Sequence, residues 1–127
     1  MQYLGVILFS REEIESIEKA ILYVKENSDK NINDDDLSQL FTMDHRKIRA
    51  GFKRKTGSTV HQYLLQARIE RGKLLLAEPG YLIKKIAKVI GFRNQSHFGK
   101  IFKKLTGLTP HQYRFEQTTY MDSFSIS

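Results

Sequence analysis

The sequence predicts an all-α chain of about seven helices, built as two copies of one short unit with a long helix between them. Three observations carry this. Helix-breaking chemistry is sparse: the 127 residues include two prolines, Pro79 and Pro110, and apolar and polar residues seldom alternate as they do along a strand. A segment also repeats: FKRKTGSTVHQY, Phe52 to Tyr63, returns as FKKLTGLTPHQY, Phe102 to Tyr113, with eight of twelve positions identical, and such self-similarity marks a tandem. The repeat is itself written in helix-boundary grammar. Gly57 and Gly107 stand where a helix C-terminus favours a left-handed residue. Thr59 and Thr109 then act as N-caps, Gln62 and Gln112 complete capping boxes, and Pro110 takes the first helical position, where no amide partner is lost. His61 and His111 belong to this grammar, since nothing supplies Cys or carboxylate ligands at metal-site spacing; no metal or cofactor is expected.

The elements follow in order. Residues 1–9, MQYLGVILF, read as a short extended piece or the remnant of a longer protein, within an N-terminal extension 1–11. Ser10 and Glu13 form a capping box for a helix to about Asn27, with Ile14, Ile17, Ile21 and Val24 at helical spacing. A short helix spans Asp34 to Phe41, and Asp34, Asp35 and Asp36 lie in its first turn, where carboxylates favour the positive end of the dipole. Adjacent helical residues diverge, which argues against a divalent-ion site there. Thr42 and Met43 make a tight turn, and Asp44 caps a helix to Thr56 with Ile48 and Phe52 inward and Arg46, Arg49, Ala50 and Lys53 outward. Short helix, turn, basic-faced helix is a helix-turn-helix pattern.

Val60 to Ala77 predicts one long helix with Tyr63, Ala67 and Leu74 on one side and Leu65, Ile69 and Leu76 nearly opposite, wedged between two bodies. The second copy begins near Leu82. Ile83, Ile86, Ala87 and Ile90 form its short helix, Gly91 and Phe92 its turn, and Asn94 or Arg93 caps a helix to Thr106 with Phe98, Ile101, Phe102 and Leu105 inward. The first copy carries Ser38 and Thr42 where the second has Ala87 and Gly91, and its turn needs one fewer residue. A last short helix runs from Pro110 to about Glu116, leaving 117–127 as a disordered tail. The predicted domains are thus 12–58, a linker helix 59–78, and 79–116.

Net charge is +7, and its distribution is uneven. From Asp44 to Lys104 sixteen Lys and Arg face three acids, whereas from Glu12 to Asp36 nine acids face three bases. A basic segment interleaved with regular apolar positions is the footprint of a phosphate-backbone binder. With no cysteine the chain uses neither disulfides nor thiolate metal sites. The apolar run Tyr3 to Phe9 is too short to span a bilayer and lacks a basic flank, so neither a signal peptide nor a membrane partner is expected and a cytoplasmic location fits.

IAKVIGFRNQSHFGKIFKKLTGLTPHQYR, Ile86 to Arg114, together with the first-copy FKRKTGSTVHQYLLQARIERGKLLL and the order of the two, closely resembles the DNA-binding domain of the bacterial AraC/XylS transcription regulators. The resemblance covers about residues 12–115. It implies seven helices in two helix-turn-helix subdomains, homeodomain-like three-helix units, joined by the long central helix, with recognition helices 44–56 and 94–106 in adjacent major-groove segments. Eighteen helical residues span roughly 27 Å, approaching the roughly 34 Å between successive groove segments. Tethering the two modules makes the second contact intramolecular.

By position, the resemblance implies base contacts at Arg46, Arg49 and Ala50 and at Gln95, Ser96, Gly99 and Lys100. Arginine suits guanine O6 and N7, and Gln95 suits adenine; Ala50 and Gly99 are departures that offer no reach. Lys53, Arg54, Lys55, Lys103 and Lys104 read as phosphate contacts, as do the amide ends at Thr59 and Thr109. The implied partners are double-stranded DNA, then RNA polymerase, then an effector-binding or sensor domain elsewhere in a longer chain, since none fits here. The alternative is a protein-interaction module that sets its basic face against an acidic partner. An enzyme is not expected, because no nucleophile, base and orienting group cluster.

Overall fold

Ser10 starts the first helix by a reciprocal cap: its hydroxyl accepts from the Glu13 amide at 3.1 Å and the Glu13 carboxylate accepts from the Ser10 amide at 2.9 Å. The computed structural model describes residues 7–125, and their elements are α1 (Arg11–Glu26), α2 (Asp34–Leu40), α3 (His45–Thr56), α4 (Val60–Leu76), α5 (Ile83–Val89), α6 (Gln95–Thr106) and α7 (Pro110–Ser125). Residues 1–6 of the expected extension lie outside the described residues. No strand occurs among those described.

Both repeat boundaries form as their sequence requires. Gly57 and Gly107 are left-handed, with φ of 77° and 84°, and each following Thr–Gln box closes in both directions at 2.9 to 3.1 Å. A second device is duplicated beside them. The Thr56 hydroxyl donates to the Phe52 carbonyl at 2.7 Å and accepts from the Ser58 amide at 3.1 Å, and Thr106 does the same with Phe102 and Leu108. One hydroxyl thereby gives a last-turn carbonyl a second donor and supplies an acceptor to an amide just past the helix end.

The chain divides into two compact units, Met1–Leu64 and Leu65–Ser127. Ile17, Ala20, Val24, Leu37, Met43, Ile48, Phe52, Val60 and Leu64 form the core of the first, and each large apolar side chain buried there contributes about 1.5–3 kcal/mol. Phe52 meets Tyr63 edge-on at 5.9 Å. In the second unit Ile69, Leu76, Ile86, Ile90, Phe92, Phe98 and Phe102 make the core, and Phe102 meets Tyr113 at 5.4 Å. The repeated Phe and Tyr are the same edge-to-face pair used twice.

The two turns differ as the sequence suggests. The Met43 amide donates to the Ser38 carbonyl at 3.0 Å and the Phe92 amide to the Ala87 carbonyl at 2.9 Å, so both turns close at the same register. Asp44 then caps α3 directly after Met43, whereas Arg93 stands between Phe92 and the cap, Asn94. Thr42 adopts φ of 49° where the second copy has Gly91 at 109°, and a β-branched residue is strained there.

Several expectations are corrected. Leu74 is 73% exposed, so Tyr63, Ala67 and Leu74 do not form a buried side of α4. Its burial is divided along its length: Val60 and Leu64 serve the first core, Ile69 and Leu76 the second. Leu105 and Ile14 are 44% and 39% exposed, and in α1 it is Ala20 that shares the inner stripe with Ile17 and Val24. The last helix runs to Ser125 rather than stopping at Glu116; nothing from His111 to Ser125 is Gly or Pro, so no residue breaks the hydrogen-bond ladder. Of the expected disordered tail only residues 126 and 127 lie outside the described residues.

Candidate nucleic-acid interface

A helix can offer side chains outward only if its inner stripe is held, and α3 is held by Ile48 and Phe52, both fully buried. Gly51 completes that stripe. A Cβ there would lie 2.4 Å from Ile17 Cδ1, so glycine is what lets α1 and α3 approach. In α6 the inner residues are Phe98 and Phe102, and the small residue has moved to the packing helix: Gly72 of α4 lies against Ile90 and Phe98, each 3.2 Å from a notional Cβ. Neither glycine was marked by the sequence reading. A glycine inside a helix shows its reason only once the opposing helix is known.

Outward from these stripes, Arg46, Arg49 and Lys53 are exposed on α3 with Ala50 half-buried beside them, and Gln95, Ser96, Lys100 and Lys103 are exposed on α6 with Gly99 half-buried. The fifty-residue offset aligns Arg49 with Gly99 and Ala50 with Lys100, so the long cationic side chain sits on adjacent positions in the two copies. Arg54, Lys55 and Lys104 are exposed as well. The Thr59 and Thr109 amides are already donors to Gln62 and Gln112, so a phosphate there would compete with the capping boxes.

The charge environment of the two helices differs. Around α3, Lys47 donates to Glu13 at 2.5 Å, Lys55 to Glu18 at 3.1 Å, and Arg49 Nη1 lies 3.5 Å from Asp34 Oδ2. His45 pairs with Asp35, and Arg46 lies 3.8 Å from its own cap, Asp44. The Lys47 ammonium, followed by the Ser10 amide, holds the Glu13 carboxyl below its ordinary value. Arg54 lies over the Phe9 ring at 5.0 Å, giving part of the N-terminal extension a packing role. Around α6, Lys100, Lys103 and Lys104 form no ion pair among the described residues. The pairs in the first unit were unread, although an acidic block preceding a basic one was their signal.

Other charged residues turn out to be structural. Arg68 of α4 is 5% exposed, its guanidinium 5.4 Å from the Phe92 ring. Arg114 donates through Nε to the Leu76 carbonyl at 2.9 Å and through Nη2 to the Tyr81 carbonyl at 2.6 Å, closing the end of α4. His61 and His45 share an open depression of about 420 Å3 with Asn33, Asp34, Asp35 and Arg49. Among the described residues no group of three or more His, Asp and Glu could hold a metal ion. What remains is two exposed helix faces of arginine, lysine, glutamine and serine, donors suited to base edges and phosphate oxygens.

Comparison with known proteins points the same way. A family model described as a helix-turn-helix domain matches residues 37–115. Over 113 residues the chain is 30% identical to the probable transcriptional regulator LumQ of Photobacterium leiognathi, covering 87% of this chain and 46% of that protein; the chain thus spans about half the length of that relative. The fold is similar to that of a transcriptional regulator of Chromobacterium violaceum described as having an AraC-type DNA-binding domain, with a TM-score of 0.75 at 22% identity over 81% of this chain and 92% of that one. It is also similar to the DNA-binding domain of the global transcriptional factor AdpA in complex with a target DNA, with a TM-score of 0.76 at 22% identity over 83% of this chain and 95% of that one.

Proposed function

The chain belongs to the AraC-type helix-turn-helix family, and on that premise we propose that it binds double-stranded DNA sequence-specifically and regulates transcription, with α3 and α6 in adjacent major-groove segments of one duplex. The observation that carries the reading is the duplicated outward face, Arg46, Arg49 and Lys53 on one recognition helix and Ser96, Lys100 and Lys103 on the other, each fixed over a phenylalanine core. Subdomains 12–58 and 79–116 with a linker helix 59–78 are the units this reading uses. Its family is one of DNA-binding regulators and not of enzymes, and the protein-interaction alternative is not favoured.

Within that reading Arg46, Arg49, Gln95, Ser96 and Lys100 read base edges, Ala50 and Gly99 sit against the groove without reaching, Lys53, Arg54, Lys55, Lys103 and Lys104 meet phosphates, and the Thr59 and Thr109 amides do so only by displacing the capping Gln62 and Gln112. No described helix is long and apolar enough to cross a membrane, which agrees with a cytoplasmic regulator. RNA polymerase and an effector-binding or sensor domain in a longer chain are the further partners this reading allows. The test is binding to a random duplex and to a duplex selected from a random pool, across salt. Affinity for both should fall steeply with log salt as counterions are released. Arg46→Ala and Lys100→Ala should lower the preference for the selected duplex, and Lys104→Ala should weaken both alike. Salt-independent binding, or equal losses from all three, would contradict the reading.

A further inference from the structure

Arg46 and Arg49 are both assigned to bases, yet they are held differently. The partner of Arg46 is Asp44, whose Oδ1 already accepts the Arg46 amide at 2.7 Å as the helix cap, and the guanidinium lies 3.8 Å from that same oxygen. With its side chain 79% exposed, Arg46 is free to swing. Arg49 instead meets a carboxylate from another helix. Asp34 Oδ2 lies 3.5 Å from Arg49 Nη1, and the Asp34 side chain is only 32% exposed.

The backbone of Asp34 is itself fixed. It opens α2 inside a capping box, in which Asn33 Oδ1 accepts the Asp36 amide and Asp36 Oδ2 accepts the Asn33 amide, both at 2.9 Å. α2 in turn is anchored by Leu37, which is fully buried. We propose that Asp34 is a positioning residue for sequence recognition: by pairing with Nη1 it presets the Arg49 guanidinium, leaving the Nε–Nη2 edge to donate bidentately to the O6 and N7 of a guanine. A planar fork restrained before binding loses less rotamer freedom when it meets its base.

Asp34 also acts against wrong sequences. Where the base opposite Arg49 offers no matching acceptor pair, the carboxylate near the duplex is left as a local repulsion, so discrimination has an attractive and a repulsive part. The second module has no such device, because the register of Arg49 is occupied by Gly99. This inference rests on the assignment of Arg49 as a base reader.

The test uses the whole chain and a duplex it enriches from a random pool, with each base pair then replaced in turn. Arg49→Ala should cut the preference for guanine at one position by about tenfold or more, the range of a bidentate pair. Asp34→Asn should cut it at the same position by about threefold to tenfold while raising affinity for non-target duplex about twofold. Asp34→Glu, which keeps the charge, should restore part of the preference. If Arg49→Ala leaves every position unchanged, the base-reading assignment fails. If Arg49→Ala has its effect and Asp34→Asn does not, or lowers affinity for all duplexes alike as a loss of α2 structure would, the positioning role alone is overturned. Should Asp34→Asn fold poorly, the preference retained by Asp34→Glu decides: a profile matching that of Arg49→Ala would count against the proposal.

Discussion

In the first module Lys47, Arg49 and Lys55 of α3 meet carboxylates from α1 and α2, whereas in the second Lys100, Lys103 and Lys104 of α6 face solvent. The helices ahead of α3 and α6 set this contrast: Glu13 and Glu18 of α1 and Asp34 and Asp35 of α2 supply the acids beside α3, while Lys84 and Lys85 stand in the first turn of α5. Helix stops, caps and the Phe–Tyr pair are nevertheless the same in both. Repeated backbone chemistry reproduces a shape, and residues outside the repeat decide what charge that shape presents. The first module is accordingly the better candidate for selectivity and the second for general attraction to phosphate.

Four comparisons would break or sharpen this contrast. Position 114 aligns with Leu64, a buried core residue of the first module, while Arg114 bonds two carbonyls in the second. Arg114→Leu should destabilise by about 2–3 kcal/mol, since hydrogen bonds from a charged group are lost and acceptors left unmatched; urea unfolding reads this, and an unchanged midpoint would mean the two units close alike. Next, Lys103→Ala with Lys104→Ala should reduce the slope of log affinity against log salt by about 2. Lys47→Ala with Lys55→Ala should reduce it by less than about 1, because those ammonium groups already have carboxylate counterions. Equal slopes would erase the electrostatic distinction.

Gly51→Ala should cost about 1–2 kcal/mol, the overpacking against Ile17 exceeding the roughly 1 kcal/mol gained in helix propensity. At Gly99, where an added Cβ meets nothing within 4 Å, the same change should stabilise by about 0.5–1 kcal/mol. Thermal unfolding of the pair should show opposite signs. Thr42→Gly, which gives the first turn the residue found in the second, should raise stability by about 0.5 kcal/mol, the relief of a left-handed threonine less the added unfolded-chain entropy. A fall in stability would show that the Thr42 side chain contributes more than its strain costs.

Local chemistry was legible in the sequence and long-range chemistry was not. The boxes at Ser10, Thr59 and Thr109 join residues three apart, so a reader needs only their spacing. The box at Asn33 has the same spacing, but Asp34, Asp35 and Asp36 offer three equivalent carboxylates in one turn, so spacing alone does not single out Asp36 as its partner. Gly51, Arg68 and Arg114 act on partners that the fold brings near: Ile17, Phe92, and the Leu76 and Tyr81 carbonyls. No periodicity announces them. Helical spacing also overestimated burial, because Leu74 and Leu105 have the right phase and no neighbour to cover them. The candidate site was readable as a set of outward positions. Its electrostatic asymmetry required knowing which acids lie beside which bases.

The extra residue in the second turn lies before the cap, so Asp44–Gly57 and Asn94–Gly107 are cassettes of equal length, each with its phenylalanine eight residues after the cap. Grafting one in place of the other would preserve every boundary signal, but not in both directions equally. Moving the second into the first site would set Ile101 where Gly51 stands, against Ile17, whereas the reverse graft leaves a void where Ile101 was. Duplication thus left a one-way barrier to recombination between the copies, and a single glycine maintains it.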